Sequence, residues 1–296
     1  MSAERVAAHL ILGAREEPFL AALLESLSGA VDSLIVNDNG SDPSPHDATL
    51  RESWFGDHDR LFVDRAPFVD FSTARNRCLD VHARTGAGTW IAFVDADEVH
   101  GETVRCITRN LGEVPAAYDF VDGYTWHFFQ SFDLYTSIER RMAFFRFNPG
   151  ARWVGNVHEQ LVGLNGKRLA LPYVYAHYGH VLPARRHAEK GRHYSSLGQR
   201  GETVPEEALD SLDPAVYFKR IWPDVLRFTG EHPPAAQSAI ARLRAEYAAD
   251  QARALELARA AQPPLVRARN VLLKANYELR WRSRELNALS RKLVST

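Results

Sequence analysis

Phe93-Val94-Asp95-Ala96-Asp97-Glu98 decides the fold reading. An apolar run, Thr89–Val94, ends abruptly in acids, which is how a buried strand finishes at a sheet edge. Working outward, the first hundred residues alternate strand and helix. Arg5–Leu12 reads as a buried strand, and Glu16–Leu27 spaces Phe19, Leu20, Leu23, Leu24 and Leu27 as one helical face. Val31–Asp38 is a second strand, closed by the turn residues Asn37-Asp38-Asn39-Gly40-Ser41. Arg60–Val63 is a short third strand, and Ser72–Arg84 a helix with Ser72 at its N-cap. Strands separated by helices imply an α/β fold with a mainly parallel sheet covered on both faces. Ligands of such sheets bind at the carboxyl ends of the strands. Asp38, Asn39, Asp95 and Asp97 all fall there.

The remaining chain fits around that frame. Tyr124–Phe129, Met142–Phe147 and Leu171–Tyr175 are aromatic and β-branched, and are expected to close one mixed sheet. Residues 184–200 read as a basic helix, and Pro233-Pro234 and Pro263-Pro264 mark two later helix starts. This predicts a unit over 1–230, with a nucleotide-binding half over 1–100 and an acceptor half over 101–230, followed by a helical extension over 231–296. The 296 residues carry 45% hydrophobic and 25% charged side chains, a globular composition, which excludes disordered and fibrous classes. Thirty-six basic residues against 37 acids leave no global field for nucleic acid. Cys78 and Cys106 make no disulfide framework. With no signal peptide legible, reduced thiols and a cytoplasmic location are expected, at the inner membrane face if the tail touches lipid.

Each motif has a chemical and a plain reading. In an extended segment alternate residues face the same way, so Asp95 and Asp97 are expected to converge. Paired carboxylates suit Mg²⁺ or Mn²⁺, which complete their shell with substrate phosphates; the plain reading is an acidic loop with Asp97 as a helix cap. Asp38 is placed to accept hydrogen bonds from a base or ribose, or is an ordinary turn residue. Thr73-Ala74-Arg75-Asn76 opens a helix, where an anion is favoured, and Arg75 adds charge-assisted bonds to phosphate; otherwise it is a surface arginine. His177, His180, His187 and His193 lack zinc-site spacing.

Taken in order, D-x-G-S after the second strand, A-R-N on the next helix and D-A-D-E after the fourth strand resemble family 2 glycosyltransferases of the GT-A fold. Trp153-Val154-Gly155-Asn156-Val157-His158-Glu159 and His177-Tyr178-Gly179-His180 are similar to W-x-G-x-V-H-E and H-x-G elements of bacterial members acting on surface and lipopolysaccharide glycans. The resemblance spans about residues 5–200. It implies a metal-dependent inverting transferase that moves a sugar from a UDP-, GDP- or dTDP-linked donor to a hydroxyl acceptor. Asp38 and Asn39 would bind the base or ribose, Arg75 the diphosphate, and Asp95 the ribose and metal. Asp97 would ligate Mn²⁺ or Mg²⁺, with His177 completing the shell. Glu159 would be the general base, against Trp153; a salt bridge to Arg141 or Arg146 is its other reading, and Asp122, Asp133 and Glu139 are further base candidates. The opening strand carries Ala14-Arg15-Glu16-Glu17 where family members have Asn-Glu-Glu, and Asn39 replaces an acid. A nucleotidyltransferase on a similar sheet and a non-catalytic binding scaffold remain as alternatives.

The tail has its own pattern. Leu265, Leu272, Leu279, Leu286 and Leu293 recur every seven residues, but Ala268, Ala275, Arg282 and Leu289 make a poor second row. Residues 264–296 hold eight Lys/Arg against Glu278 and Glu285. Three readings stand: packing on its own domain, a homodimer contact, or a basic amphipathic helix on anionic lipid as a peripheral membrane contact.

Overall fold

The computed structural model describes residues 4–40, 42–198, 203–285 and 288–294. Among the described residues one nine-stranded mixed sheet organises the chain. Its strands are β1 (Val6–Leu12), β2 (Ser33–Asp38), β3 (Leu61–Arg65), β4 (Trp90–Phe93), β5 (Glu98–Val99), β6 (Tyr118–Phe129), β7 (Leu134–Arg146), β10 (Lys167–His180) and β11 (Leu226–Arg227). A separate hairpin pairs β8 (Arg152–Val154) with β9 (Gln160–Val162). The sheet order is β3-β2-β1-β4-β7-β6-β10-β5, with β11 added on β7. The strands β3, β2, β1 and β4 are parallel, as their alternation with helices requires, and the β6–β10 pair is parallel too. Antiparallel β7 joins these two groups, pairing β4 on one side and β6 on the other. The aromatic middle of the chain thus completes the same sheet, as expected.

Side-chain alternation along β1 builds both faces. Val6, Ala8, Leu10 and Leu12 pack with Leu20, Leu23, Leu24 and Leu27 of α1 (Leu20–Leu27), Phe55 of α3 (Trp54–Asp57) and Val104 and Ile107 of α5 (Thr103–Asn110). A short α2 (Asp47–Arg51) precedes α3. Ala7 points the other way, with Ile35, onto Cys78 and Val81 of α4 (Phe71–Thr85). The cap of α4 is Asp70 rather than Ser72: its Oδ1 accepts from the Thr73 N–H at 2.6 Å and from the Ser72 hydroxyl at 2.9 Å. A carboxylate in extended backbone outcompetes the hydroxyl two residues later for the free N–H groups of the first turn. The helix expected from Glu16 begins at Leu20, after Pro18.

The basic helix is α6 (Ala184–Ser196), followed by α7 (Pro214–Tyr217). The later helices are α8 (Gln237–Glu246), α9 (Ala248–Ala260), α10 (Pro264–Glu285) and α11 (Ala288–Val294). They pack against the body of the chain. Ile240 and Leu243 of α8 share a core with Tyr124, Phe128 and Tyr178, and Leu293 of α11 is wholly buried in the main core beside α5. Part of the leucine repeat therefore packs on its own domain. Leu286 lies outside the described residues. Leu265, Leu272 and Leu279 instead point outward. No described helix is long and apolar enough to cross a membrane.

Candidate active site

The acidic segment after β4 sits in a cage of ion pairs. The Glu98 N–H bonds the Asp95 carbonyl at 3.0 Å, so Asp95–Glu98 is a turn, not an extended run. That corrects the expectation of an extended segment, although both carboxylates stay in one cluster, each acting on His177, Lys190 and Arg141. Alternation holds only in extended backbone, and here the two carboxylates face different partners. Asp95 turns to Arg75 Nη2, 2.7 Å from its Oδ1, with Arg141 Nη2 3.7 Å from Oδ2. Asp97 turns to His177 Nε2, 3.3 Å from its Oδ1, and Lys190 Nζ of α6, 3.7 Å from Oδ2.

Strand pairing explains why His177 arrives there. β5 pairs antiparallel with β10, placing Glu98 opposite His177, and the Tyr178 N–H donates to the Asp97 carbonyl at 2.8 Å. Gly179 keeps the space open, because a Cβ there would lie 2.4 Å from Asp97 Oδ2 and 2.8 Å from the His177 ring. His127, on the neighbouring strand β6, holds His177 Nδ1 at 3.2 Å through its own Nδ1. Burial lowers the pKa of both imidazoles, that of His127 to about 3, so His177 presents a neutral ring.

Arg75 is the hub on the other side. It is 6% exposed, its guanidinium lies 4.0 Å over the Phe93 ring, and Nε donates to Glu159 Oε1 at 2.5 Å. Burial works against its charge, but Asp95 and Glu159 outweigh it and raise its pKa. Only Nη1 is left without a partner. Two carboxylates thus occupy two edges of Arg75, the residue expected to meet a diphosphate. Asn76, the next residue, clamps Trp153: its side chain donates to the Trp153 carbonyl and accepts from the Trp153 N–H, both at 2.9 Å. The A-R-N and W-x-G-x-V-H-E segments are two halves of one structure. Glu159 finds its salt bridge in Arg75, not in Arg141 or Arg146.

Burial pushes Asp95 upward, but Arg75 and then Arg141 overcome it and hold the carboxyl well below the usual range. Glu98 is the opposite case. It is nearly inaccessible, and burial followed by the charge of Asp95 raises it well above the ordinary value. Glu17, in the loop between β1 and α1, is raised to about 7 by burial and then by Asp97. Lys190 and Arg15 oppose that shift, and Asp95 adds to it. Sequence reasoning did not assign Glu17, Glu98 or Arg141 to the site; Lys190 falls in the basic helix, whose readings are a solvated face or a phosphate contact. Glu16-Glu17 did carry a signal, as an acid pair just past the carboxyl end of β1.

Asp38 and Asn39 lie at the end of β2. Asp38 is 2% exposed; its Oδ1 accepts from the Gly40 N–H at 2.9 Å, while Oδ2 is buried with no partner among the described residues. Asn39 is turned inward, its amide donating to the Leu12 and Asn37 carbonyls. Ser41 lies outside the described residues. Two of the other base candidates are engaged elsewhere: Asp122 is buried between Arg140 and Arg168, and Asp133 bonds Arg244. Glu139 is 3.8 Å from His127 Nε2.

Among the described residues no group of three His, Cys, Asp or Glu side chains is arranged to hold a metal ion. Of the expected trio, Asp95 bonds Arg75, while Asp97 and His177 face each other 3.3 Å apart. The pair fits a divalent ion that takes its other ligands from substrate: a neutral imidazole nitrogen, and a carboxylate oxygen, Asp97 Oδ1, buried without a hydrogen-bond donor.

No protein-family model matches the chain, and no curated protein does. Among solved structures the chain is similar to a mannosyltransferase from Pyrobaculum calidifontis, crystallised with GDP-Man and Mn²⁺. That match has 15% identity, covers 98% of this chain and 86% of that one, and has a TM-score of 0.41. It is also similar to GalNAc-T7 with UDP, GalNAc and Mn²⁺, at 11% identity, over 60% of this chain and 44% of that one, with a TM-score of 0.39.

Proposed function

We propose that the protein is a metal-dependent inverting glycosyltransferase of the GT-A type. It moves a sugar from a nucleoside-diphosphate donor to a hydroxyl of a glycan, lipid-linked or small-molecule acceptor. The observation that carries the reading is the Asp97–His177 pair, 3.3 Å apart at the carboxyl edge of the sheet, with Lys190 beside it and Arg75 fixing the neighbouring carboxylates. Bound there, Mn²⁺ or Mg²⁺ would supply Lewis-acid stabilisation of the departing diphosphate.

The chain's own groups do the rest. Asp38, with one carboxylate oxygen still unpaired among the described residues, accepts from the base or ribose, and Asn39 shapes that turn. Lys190 adds a cation where negative charge builds on the leaving group. Arg75 orients Asp95 and Glu159. The acceptor oxygen bonds the anomeric carbon as the sugar–phosphate C–O bond breaks, and its proton passes to a carboxylate. Glu159 is the base expected from the sequence, and Glu17 is the second carboxylate suited to it, being raised toward neutrality. The reading is tested by nucleotide release from UDP-, GDP- and dTDP-sugars with and without Mn²⁺, alongside thermal shift with the same nucleotides. Metal-linked stabilisation by one nucleotide and release from its sugar are expected. No stabilisation by any nucleotide in either condition would leave a scaffold.

A further inference from the structure

The outward face of α10 plays no part in the site. Its other face is fixed to the body of the protein. Asn270 donates to the Pro223 carbonyl at 3.0 Å, Lys274 reaches the Thr229 hydroxyl at 3.0 Å, and Tyr277 packs against the aromatic core around Phe128. Leu265, Leu272 and Leu279 are nonetheless 85%, 72% and 68% exposed. At about 100° per residue these three fall within an arc of roughly 40°, centred on the side opposite Val266, Asn270, Leu273 and Tyr277. Ala268 and Ala275 widen the stripe, and Val271, 67% exposed, lies at its margin.

Charge frames this stripe. Arg280 flanks it on one side and Arg282 on the other, both exposed; Arg267 lies round the helix and donates to the Gln262 carbonyl, and Arg269 is exposed and paired with Asp224. Among the described exposed positions of α10 there is no Asp or Glu. A second copy of the same helix would bring arginine against arginine, since the half-buried Glu278 lies round the helix beside Tyr135. An anionic apolar surface would take both the leucines and the arginines.

We propose that this face docks α10, lying flat, on an anionic lipid surface. The leucines enter the boundary between headgroups and acyl chains, and the arginines contact lipid phosphates while their stems cover the flanks. The proposal is independent of the glycosyl-transfer reading.

The test uses the full chain with vesicles of phosphatidylcholine alone and of phosphatidylcholine mixed with phosphatidylglycerol. The protein should sediment with the mixed vesicles, less so as salt rises, and remain in the supernatant with phosphatidylcholine alone. Two paired changes probe the two components: Leu272→Glu with Leu279→Glu, and Arg280→Ala with Arg282→Ala. Each should raise the lipid concentration for half-binding by at least about tenfold. Circular dichroism should be unchanged, because the substituted side chains are exposed. Sedimentation independent of lipid charge, or unaffected by the leucine pair, would overturn the proposal. So would a dimer in analytical ultracentrifugation that the leucine pair dissolves while neither vesicle type is bound.

Discussion

Arg75 Nε lies 2.5 Å from Glu159 Oε1, across 84 positions of sequence, and both side chains are about nine-tenths buried. The same guanidinium holds Asp95. One arginine therefore ties the start of α4, the turn after β4 and the segment between β8 and β9.

Removing it should cost more than one ion pair. Arg75→Met leaves two carboxylates near low-dielectric surroundings with their strongest partner gone, a loss of about 3–5 kcal/mol. Urea unfolding would measure it. Adding Glu159→Gln should recover part of the loss, because an amide does not need the cation. A double-mutant cycle should therefore show coupling of about 1 kcal/mol or more.

Asp97→Asn should leave the fold intact while removing the charge that faces His177. Metal-linked thermal stabilisation by nucleotide should vanish and turnover should fall by at least about a hundredfold. Gly179→Ala should do much the same by steric means, since its Cβ would press on Asp97 Oδ2 and the His177 ring. Wild-type turnover in Asp97→Asn would remove Asp97 as a metal ligand.

The pattern of apolar runs was sufficient to reveal β1 to β4, because buried parallel strands must be apolar and their ends must be polar. It also marked Asp38, Asp95 and Asp97 as edge residues. Local reasoning failed at the turn itself. Whether Asp95-Ala96-Asp97 is extended depends on the Glu98 N–H bonding back to Asp95 and on β5 pairing with β10, and that partner strand lies about eighty residues on. Arg141 and Lys190 were not placed there, for the same reason: β7 and α6 carry them to the site by tertiary placement, and a basic helix over 184–200 singles out no one residue. Arg75 was found as a residue, but its burial under Glu159 and Asp95 is legible only once α4 and β8 are side by side.

His100 predicts how stability follows pH. It is 5% exposed, bonds the Tyr173 hydroxyl, and burial alone lowers its pKa to about 3. The unfolded chain binds the proton near pH 6.5, while the native state refuses it until about pH 3. The stability this group supplies is therefore full above pH 6.5 and is lost progressively as pH falls through that window, by about 1.4 kcal/mol per unit. Between pH 7 and pH 5 the single group should cost about 2 kcal/mol. Urea unfolding of His100→Gln at both values should show a shallower pH slope by about one proton; an unchanged slope would clear His100 of the effect.

Glu17 and Glu159 make opposite predictions as bases. Glu159 spends Oε1 on a buried guanidinium, and its place in the fold is that of an anchor. Glu17 sits in the loop after β1 among Asp97, Lys190, Asp95 and Arg15, with a carboxyl pushed up to about 7, so it is placed to take a proton near neutral pH. Glu17→Gln should lower kcat by about a hundredfold or more with KM for the donor nearly unchanged, and should leave the urea midpoint close to wild type. Glu159→Gln should lower the midpoint through Arg75, and its loss of turnover should be partly restored by Glu159→Asp, which keeps the pair. If Glu17→Gln turns over at the wild-type rate while Glu159→Gln is folded and inactive, the proton goes to Glu159.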